Sequence, residues 1–113
     1  MPRHAVDLDL TFRALAAPAR RAVVARLRAG PATVSELAAP FDMALPSFMQ
    51  HLDVLEEGGL VCSHKVGRVR TYELVRPQLR RAAHWLDAQR ELWERRLDQL
   101  DRLVTSPHPR PPR

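Results

Sequence analysis

Residues Ala44–Val61 read ALPSFMQHLDVLEEGGLV, a stretch that combines apolar and hydrogen-bonding side chains at helical spacing. The apolar side chains that share one side of a helix, at about 100° per residue, are Leu45, Phe48, Leu52 and Leu55. Ser47 and Gln50 fall on the opposite side, and His51 lies on a flank. A helix over 44–57 therefore buries one face and presents hydrogen-bonding groups on the other.

The segments on either side of this helix predict a defined order of elements. Thr33-Val34-Ser35-Glu36 has the T-x-x-E spacing of a helix capping box, and Gly58-Gly59 ends the helix that follows. Alternating residues with a turn near Val66-Gly67 predict a β-hairpin. The predicted helices cover 7–16, 18–29, 33–39, 44–57 and 77–104, and the hairpin covers 60–74.

This order is typical of a mainly α fold with a β-hairpin wing, the winged helix-turn-helix. The helices over 33–39 and 44–57 form the helix-turn-helix, and the hairpin over 60–74 forms the wing. We expect one domain over residues 1–104 and a disordered, Pro-rich tail over 105–113.

Composition restricts the class of protein. A chain of 113 residues suffices for one compact domain, and no apolar run approaches the roughly 20 residues of a membrane span. Basic residues outnumber acidic ones by 18 to 13, and the net charge of +5 favours an anionic partner. The single cysteine, Cys62, excludes an internal disulfide and suits a reducing compartment. Since the N-terminal residues lack a signal-peptide apolar region, we expect a cytoplasmic protein without a membrane partner.

Two predicted elements carry side chains suited to double-stranded DNA. Gln can bond adenine bidentately and Ser can reach a base or a phosphate, whereas Lys and Arg grip phosphates or enter the minor groove. Residues 29–64 contain five acids and no Lys or Arg, so most charge attraction must come from outside the 44–57 helix. The candidate DNA contacts are Pro46, Ser47, Gln50 and His51 on the helix, and Lys65, Arg68 and Arg70 on the wing.

The same side chains also have structural interpretations. Polar helix faces are commonly solvated, and a charged hairpin keeps its edge soluble. Arg20 and Arg21 suit either phosphate contacts or structural salt bridges. A protein-interaction winged helix without DNA binding is therefore an alternative, supported by the acids Asp53, Glu56 and Glu57 in the 44–57 helix.

The last predicted helix carries an apolar heptad seam that one small core cannot cover. An exposed seam of this length is rare on a monomer, so we expect a homodimer through the first and last helices. The predicted interface residues are Leu8, Phe12 and Leu15 in the first helix, and Leu79, Leu86, Trp93, Leu97 and Leu100 in the last.

Candidate metal, redox and catalytic groups are sparse. Cys62 and His64 share a strand face but are two ligands short of a tetrahedral site, and a lone Cys is more often a small buried hydrophobe. His84, Asp87 and Glu91 occur at i, i+3 and i+7. A metal- or redox-gated regulator using Cys62 or the His84 cluster is thus a second alternative, although we expect no metal and no other cofactor. No phosphate loop or nucleophile elbow is present, so no enzyme activity is expected.

The stretches LAAPARRAVVARL, TVSELA and KVGRVRTYEL, together with ALPSFMQHLDVLEEGGLV, resemble the ArsR/SmtB family of bacterial winged-helix repressors. The resemblance covers residues 10–76 and implies a homodimer formed by the first and last helices. It also implies operator binding through the fourth helix and the wing. The C-terminal stretch RAAHWLDAQRELWERRLDQL is similar to a subgroup often associated with START-like proteins.

The sequence departs from the metal-sensing members of that family. Those members carry a cysteine pair in the third helix, where this sequence has Ala38 and Ala39. The D-x-H order of another metal site is absent from the last helix. The resemblance therefore implies a non-metal-sensing repressor, and it leaves open the operator, the regulated genes and whether a small-molecule effector exists.

Overall fold

The computed structural model describes residues 6–105. It is mainly helical with a three-stranded antiparallel sheet, and this confirms the predicted winged helix-turn-helix. The elements are α1 (Leu8–Ala14), α2 (Pro18–Leu27), β1 (Ala32–Thr33), α3 (Val34–Ala38), α4 (Leu45–Glu57), β2 (Val61–Val66), β3 (Val69–Leu74) and α5 (Arg76–Thr105).

The chain divides into two compact units, one through Ala82 and one from Ala83 onward, and α5 contributes to both. The prediction of one domain over 1–104 stays a prediction. Thr105 belongs to α5, and the rest of the predicted Pro-rich tail lies outside the described residues.

The capping box predicted at Thr33 is present at the start of α3. The Thr33 Oγ1 accepts from the Glu36 backbone N–H at 3.2 Å, and the Thr33 N–H donates to the Glu36 carboxylate at 2.8 Å. These hydrogen bonds from Thr33 hold the pKa of the Glu36 carboxyl below its ordinary value. Because that pKa is lowered in the folded state, the stabilisation is present at neutral pH and is lost as the pH falls through the folded pKa.

Replacing Thr33 by Ala should lower the free energy of unfolding by about 1 kcal/mol, the usual cost of losing an N-cap side chain. Alanine removes the oxygen that accepts from the Glu36 amide, whereas Thr33→Ser keeps a hydroxyl and serves as the control. Chemical denaturation of both variants measures the difference. Equal unfolding free energies for Thr33→Ala and the original chain would show that the cap is not stabilising.

The core of the first unit is built from the inner faces of the helices and the sheet. Phe48, Leu52 and Leu55 of α4 are buried as predicted, but Leu45 is 56% exposed. Leu45 is the first residue of α4, so it precedes the part of the helix that packs on the core. The other buried core residues are Ala14, Val23, Val24, Leu27, Ala32, Leu37, Leu60, Val61 and Tyr72.

The end of α4 approaches α1 too closely for any side chain at Gly58. A Cβ there would lie 2.8 Å from the Ala14 Cβ and 2.9 Å from the Leu10 carbonyl oxygen. The buried Thr11 hydroxyl donates to the Gly58 carbonyl at 2.8 Å and accepts from the Gln78 amide at 2.9 Å. These hydrogen bonds tie α1, α4 and the start of α5 together within the first unit.

The sheet has the strand order β1-β3-β2, and its two longer strands form the predicted hairpin. Val66 pairs with Val69, so Gly67 and Arg68 form a two-residue loop. Gly67 has φ +63° and Arg68 does not have a positive φ, a pattern that matches a type II′ turn. Strand β1 was not predicted, because two residues carry no alternation signal.

Candidate nucleic-acid interface

Helix α4 presents a polar surface beside the core contacts that hold it in place. Phe48 packs the buried side of the helix against the core, and its ring centroid lies 5.3 Å from that of Phe41 in the preceding loop. Pro46, Ser47 and Gln50 are exposed. Among residues 6–105, no hydrogen bond engages the side chain of Ser47 or Gln50, so both are available to an external partner.

His51 is placed differently from Ser47 and Gln50. Its ring is half-buried, and its Nδ1 lies 3.0 Å from the Nη1 of Arg20 in α2. The sequence separation of these two residues is 31, and no local pattern relates them. The helix flank predicted from periodicity is thus occupied by a contact between α2 and α4.

Arg20 and Arg21 both bind backbone carbonyls at the C-terminal end of α1. Arg20 donates through Nε to the Ala14 carbonyl at 2.8 Å and through Nη2 to the Arg13 carbonyl at 3.2 Å. Arg21 donates through Nη1 to the Leu15 carbonyl at 2.7 Å. Cations at a helix C-terminus are favourable because the last carbonyls lack partners within the helix.

The wing places its cations at the tip of the hairpin. Lys65 is paired with Arg70 across the strands, so their side chains project from the same face. Arg68 lies in the turn, and all three side chains are exposed. The wing therefore supplies the positive charge that α4 lacks.

A hydrogen-bonded chain connects the wing to α4. The Arg70 Nη1 donates to the Ser63 Oγ at 2.9 Å, and that hydroxyl donates to the Glu56 carboxylate at 3.2 Å. Ser63 lies in β2 and Glu56 in the last turn of α4. Part of the Arg70 guanidinium is thus already engaged, whereas the Arg68 side chain makes no hydrogen bond within the described residues.

Known proteins share this architecture. A family model described as a helix-turn-helix domain matches residues 15–63. The HTH-type transcriptional regulator Rv2034 of Mycobacterium tuberculosis is 40% identical over 98 residues, which cover 87% of this chain and 89% of the relative. A crystal structure of an ArsR family transcriptional regulator is 56% identical, with a TM-score of 0.73 over 77% of this chain and 96% of that one. This chain belongs to the ArsR family of transcriptional regulators.

A further ArsR-family likeness is to a solution structure from Mycobacterium bovis. That structure is described as a homodimeric winged helix-turn-helix DNA-binding domain from a possible ArsR-family regulator. It is 25% identical, with a TM-score of 0.59 over 77% of this chain and 82% of that one.

The cysteine of this ArsR-family chain is not where it was expected. Cys62 is exposed, and its Sγ lies 4.0 Å from a carboxylate oxygen of Glu73, its cross-strand neighbour. The prediction of a small buried hydrophobe is therefore wrong, because Cys62 is on the outer face of the hairpin and Val61 and Ser63 are on the inner one. Within residues 6–105, no group of three or more His, Cys, Asp or Glu side chains is placed to hold a metal ion.

The predicted interface residues of the ArsR-family chain fall into two groups. In the first unit, Leu15 and Leu79 pack against the core, and Leu8 and Phe12 are half-buried. In the second unit, the α5 residues Leu86, Trp93, Leu97 and Leu100 are each more than half exposed. Other exposed apolar residues of this unit, which the heptad seam did not include, are Trp85, Leu92 and Leu103. None of the described helices combines the length and apolar character that crossing a membrane requires.

Proposed function

We propose that this ArsR-family chain is a homodimeric repressor that reads an operator with α4 and grips it with the wing. The observation that carries the proposal is the unengaged pair Ser47 and Gln50 on α4, combined with the exposed cations of the neighbouring hairpin. Neutral hydrogen-bonding side chains discriminate base edges, whereas cations contribute affinity that is independent of sequence. Pro46, which is exposed in the first turn of α4, is a further candidate contact with the DNA.

The homodimer proposal rests on the apolar side chains of the second unit. Leu86 is 52% exposed and Trp93 is 63% exposed, and monomers rarely leave a contiguous apolar patch of this kind uncovered. The homodimeric Mycobacterium bovis structure supports the same assembly. The second copy is expected to cover Leu86, Trp93, Leu97 and Leu100 together with Leu8 and Phe12. Leu15 and Leu79 contribute less, since they already pack on their own core.

Two winged helices related by a two-fold axis would contact two half-sites of one operator. A cytoplasmic location follows from a partner of this kind. Regulation by a small-molecule effector and association with a START-like protein stay proposals that rest on the resemblance. Sequencing of the neighbouring genes tests the START-like association directly.

We expect the purified protein, free of metal, to bind duplex DNA with an affinity that falls steeply with salt. Each phosphate neutralised by a wing cation releases counterions, which gives log K a negative slope against log salt concentration. Fluorescence anisotropy with genomic fragments recovered by genome-wide binding measures this slope. If the protein binds none of the DNA fragments at low salt, the result would favour the alternative of a protein-interaction winged helix.

The same binding assay, repeated with a chelator and with added zinc, separates the metal-gated alternative from the main proposal. Operator affinity should be the same after treatment with a chelator and after addition of zinc, because Ala38 and Ala39 stand where metal-sensing relatives carry a cysteine pair. A tenfold change in either arm, equal to about 1.4 kcal/mol, would favour gating by a metal. Oxidation and reduction of Cys62 in the same assay test the redox version.

A further inference from the structure

Arg20 is held by three hydrogen bonds that leave its guanidinium little freedom. Nε donates to the Ala14 carbonyl at 2.8 Å, Nη2 donates to the Arg13 carbonyl at 3.2 Å, and Nη1 faces the His51 Nδ1 at 3.0 Å. The two carbonyls belong to the C-terminal end of α1, whereas His51 belongs to α4. The guanidinium plane is therefore fixed on α1 and directs one N–H toward α4.

The chemistry of the guanidinium determines the state of the His51 ring. A guanidinium has five N–H donors and no acceptor. The hydrogen bond therefore requires His51 Nδ1 to accept, so Nδ1 carries no proton. A neutral imidazole has one protonated nitrogen, and this must then be Nε2.

The Nε2 atom is accessible from outside the protein. His51 is half-buried, and no partner for its Nε2 exists among the described residues. Among the described residues that are buried or half-buried, every side-chain nitrogen or oxygen that solvent cannot reach has a hydrogen-bond partner. An unpartnered Nε2 is consequently a surface atom, and its N–H is free to donate.

We propose that Arg20 is a positioning residue that holds His51 as an Nε2–H donor toward hydrogen-bond acceptors of the operator. This inference rests on the proposed function, since it assumes that α4 faces DNA. Acceptors in the major groove are the purine N7, guanine O6 and thymine O4, and phosphate oxygens are acceptors on the backbone. The opposite tautomer would present an Nε2 acceptor and would select the amino groups of adenine or cytosine instead.

The tautomer is measured without DNA, by long-range ¹H–¹⁵N correlation of the histidine rings in labelled protein at neutral pH. The expected spectrum shows His51 protonated at Nε2 and unprotonated at Nδ1. Arg20→Lys should shift that pattern toward a mixture of tautomers. Arg21→Lys is the matched control, because Arg21 also binds a backbone carbonyl at the C-terminal end of α1, that of the C-cap residue Leu15, but does not touch His51. A His51 ring protonated at Nδ1 in the original chain overturns the inference.

Two substitutions at His51 separate the two ring nitrogens in DNA binding. Asn places an oxygen near the Nδ1 position and keeps an acceptor for Arg20, but it has no donor at the Nε2 position. Gln reaches the Nε2 position with an amide donor and leaves Arg20 without its acceptor. We expect His51→Asn to keep a near-normal unfolding midpoint and lose roughly tenfold or more in operator affinity, and His51→Gln to recover part of that loss.

The choice of duplex identifies the acceptor. A loss confined to the operator indicates a base acceptor, and an equal loss on scrambled duplex indicates a phosphate. Operator affinity of His51→Asn equal to that of the original chain overturns this inference and leaves the proposed function intact. If the original chain binds no duplex at all, the proposed function and the DNA role of His51 fail together, while the ring spectrum still decides the Arg20 contact.

Discussion

Leu86→Glu combined with Trp93→Glu is expected to produce a monomer that no longer binds operator DNA. Both side chains are more than half exposed on α5, and a symmetric dimer buries each of them twice. Burial of a large apolar side chain contributes about 1.5–3 kcal/mol, whereas a buried carboxylate without a partner is strongly unfavourable. The double variant therefore loses the apolar contribution and adds a charge penalty.

The loss of DNA binding follows from the loss of the second half-site. A single winged helix retains one α4 and one wing, so it keeps only half of the contacts with a two-fold operator. Light scattering at micromolar concentration measures the mass, and anisotropy measures operator affinity on the same samples. A monomeric original chain at that concentration would contradict the proposed dimer.

A control for this experiment lies on the opposite side of α5. Ala88 and Arg95 are exposed, are also seven residues apart, and fall away from Leu86 and Trp93 at about 100° per residue. Ala88→Glu with Arg95→Gln changes the net charge by the same amount as the test variant. This control should remain dimeric, so a monomeric control would attribute the effect to charge rather than to the apolar face.

Local pattern predicted the elements because each carries a strong signal in consecutive residues. The capping box at Thr33, the Gly58-Gly59 stop and the apolar spacing of α4 all describe interactions within a few residues, and these appear in the fold. Burial of Leu45 was wrongly predicted because helical periodicity shows which side of a helix a residue is on, but not where along the helix its contact with the core begins. Burial of Cys62 was wrongly predicted because it was inferred from the residue type, whereas alternation from the buried Val61 places Cys62 on the outer face of the hairpin.

The sequence predicted the exposed side chains of the candidate DNA-binding site but not the contacts between its elements. Ser47, Gln50 and the wing cations follow from helix spacing and hairpin alternation. The contacts Arg20–His51 and Arg70–Ser63–Glu56 join residues from different elements. Such contacts depend on how the elements pack. Arg20 and His51 are 31 residues apart in the sequence, and Arg70, Ser63 and Glu56 are closer but belong to three different elements.

Gln50→Ala and Arg68→Ala should separate reading of the operator from gripping of the backbone. Gln50 offers a bidentate hydrogen-bonding amide without a charge, so its removal should cost roughly 1–3 kcal/mol per half-site on the operator and little on scrambled duplex. Arg68 offers a charge and no fixed geometry, so its removal should weaken both duplexes similarly. The salt slope should then fall by about one for each phosphate that is no longer neutralised.

Arg68 is a better choice for this test than Arg70. The Arg70 guanidinium already donates to Ser63, so its removal also disturbs the link between the wing and α4. Arg68 lies in the turn, and its side chain makes no hydrogen bond within the described residues, so Arg68→Ala removes a charge and leaves the hairpin contacts in place.

The measurement is a titration of both variants against operator and scrambled duplex at several salt concentrations. Each substitution occurs twice in a dimer, so the effects on a symmetric operator should approach twice the value for one half-site. The assignment is reversed if Gln50→Ala lowers the salt slope while Arg68→Ala changes only the preference for the operator. In that case the wing would read bases and α4 would grip the backbone, and the neutral face of α4 would require a different explanation.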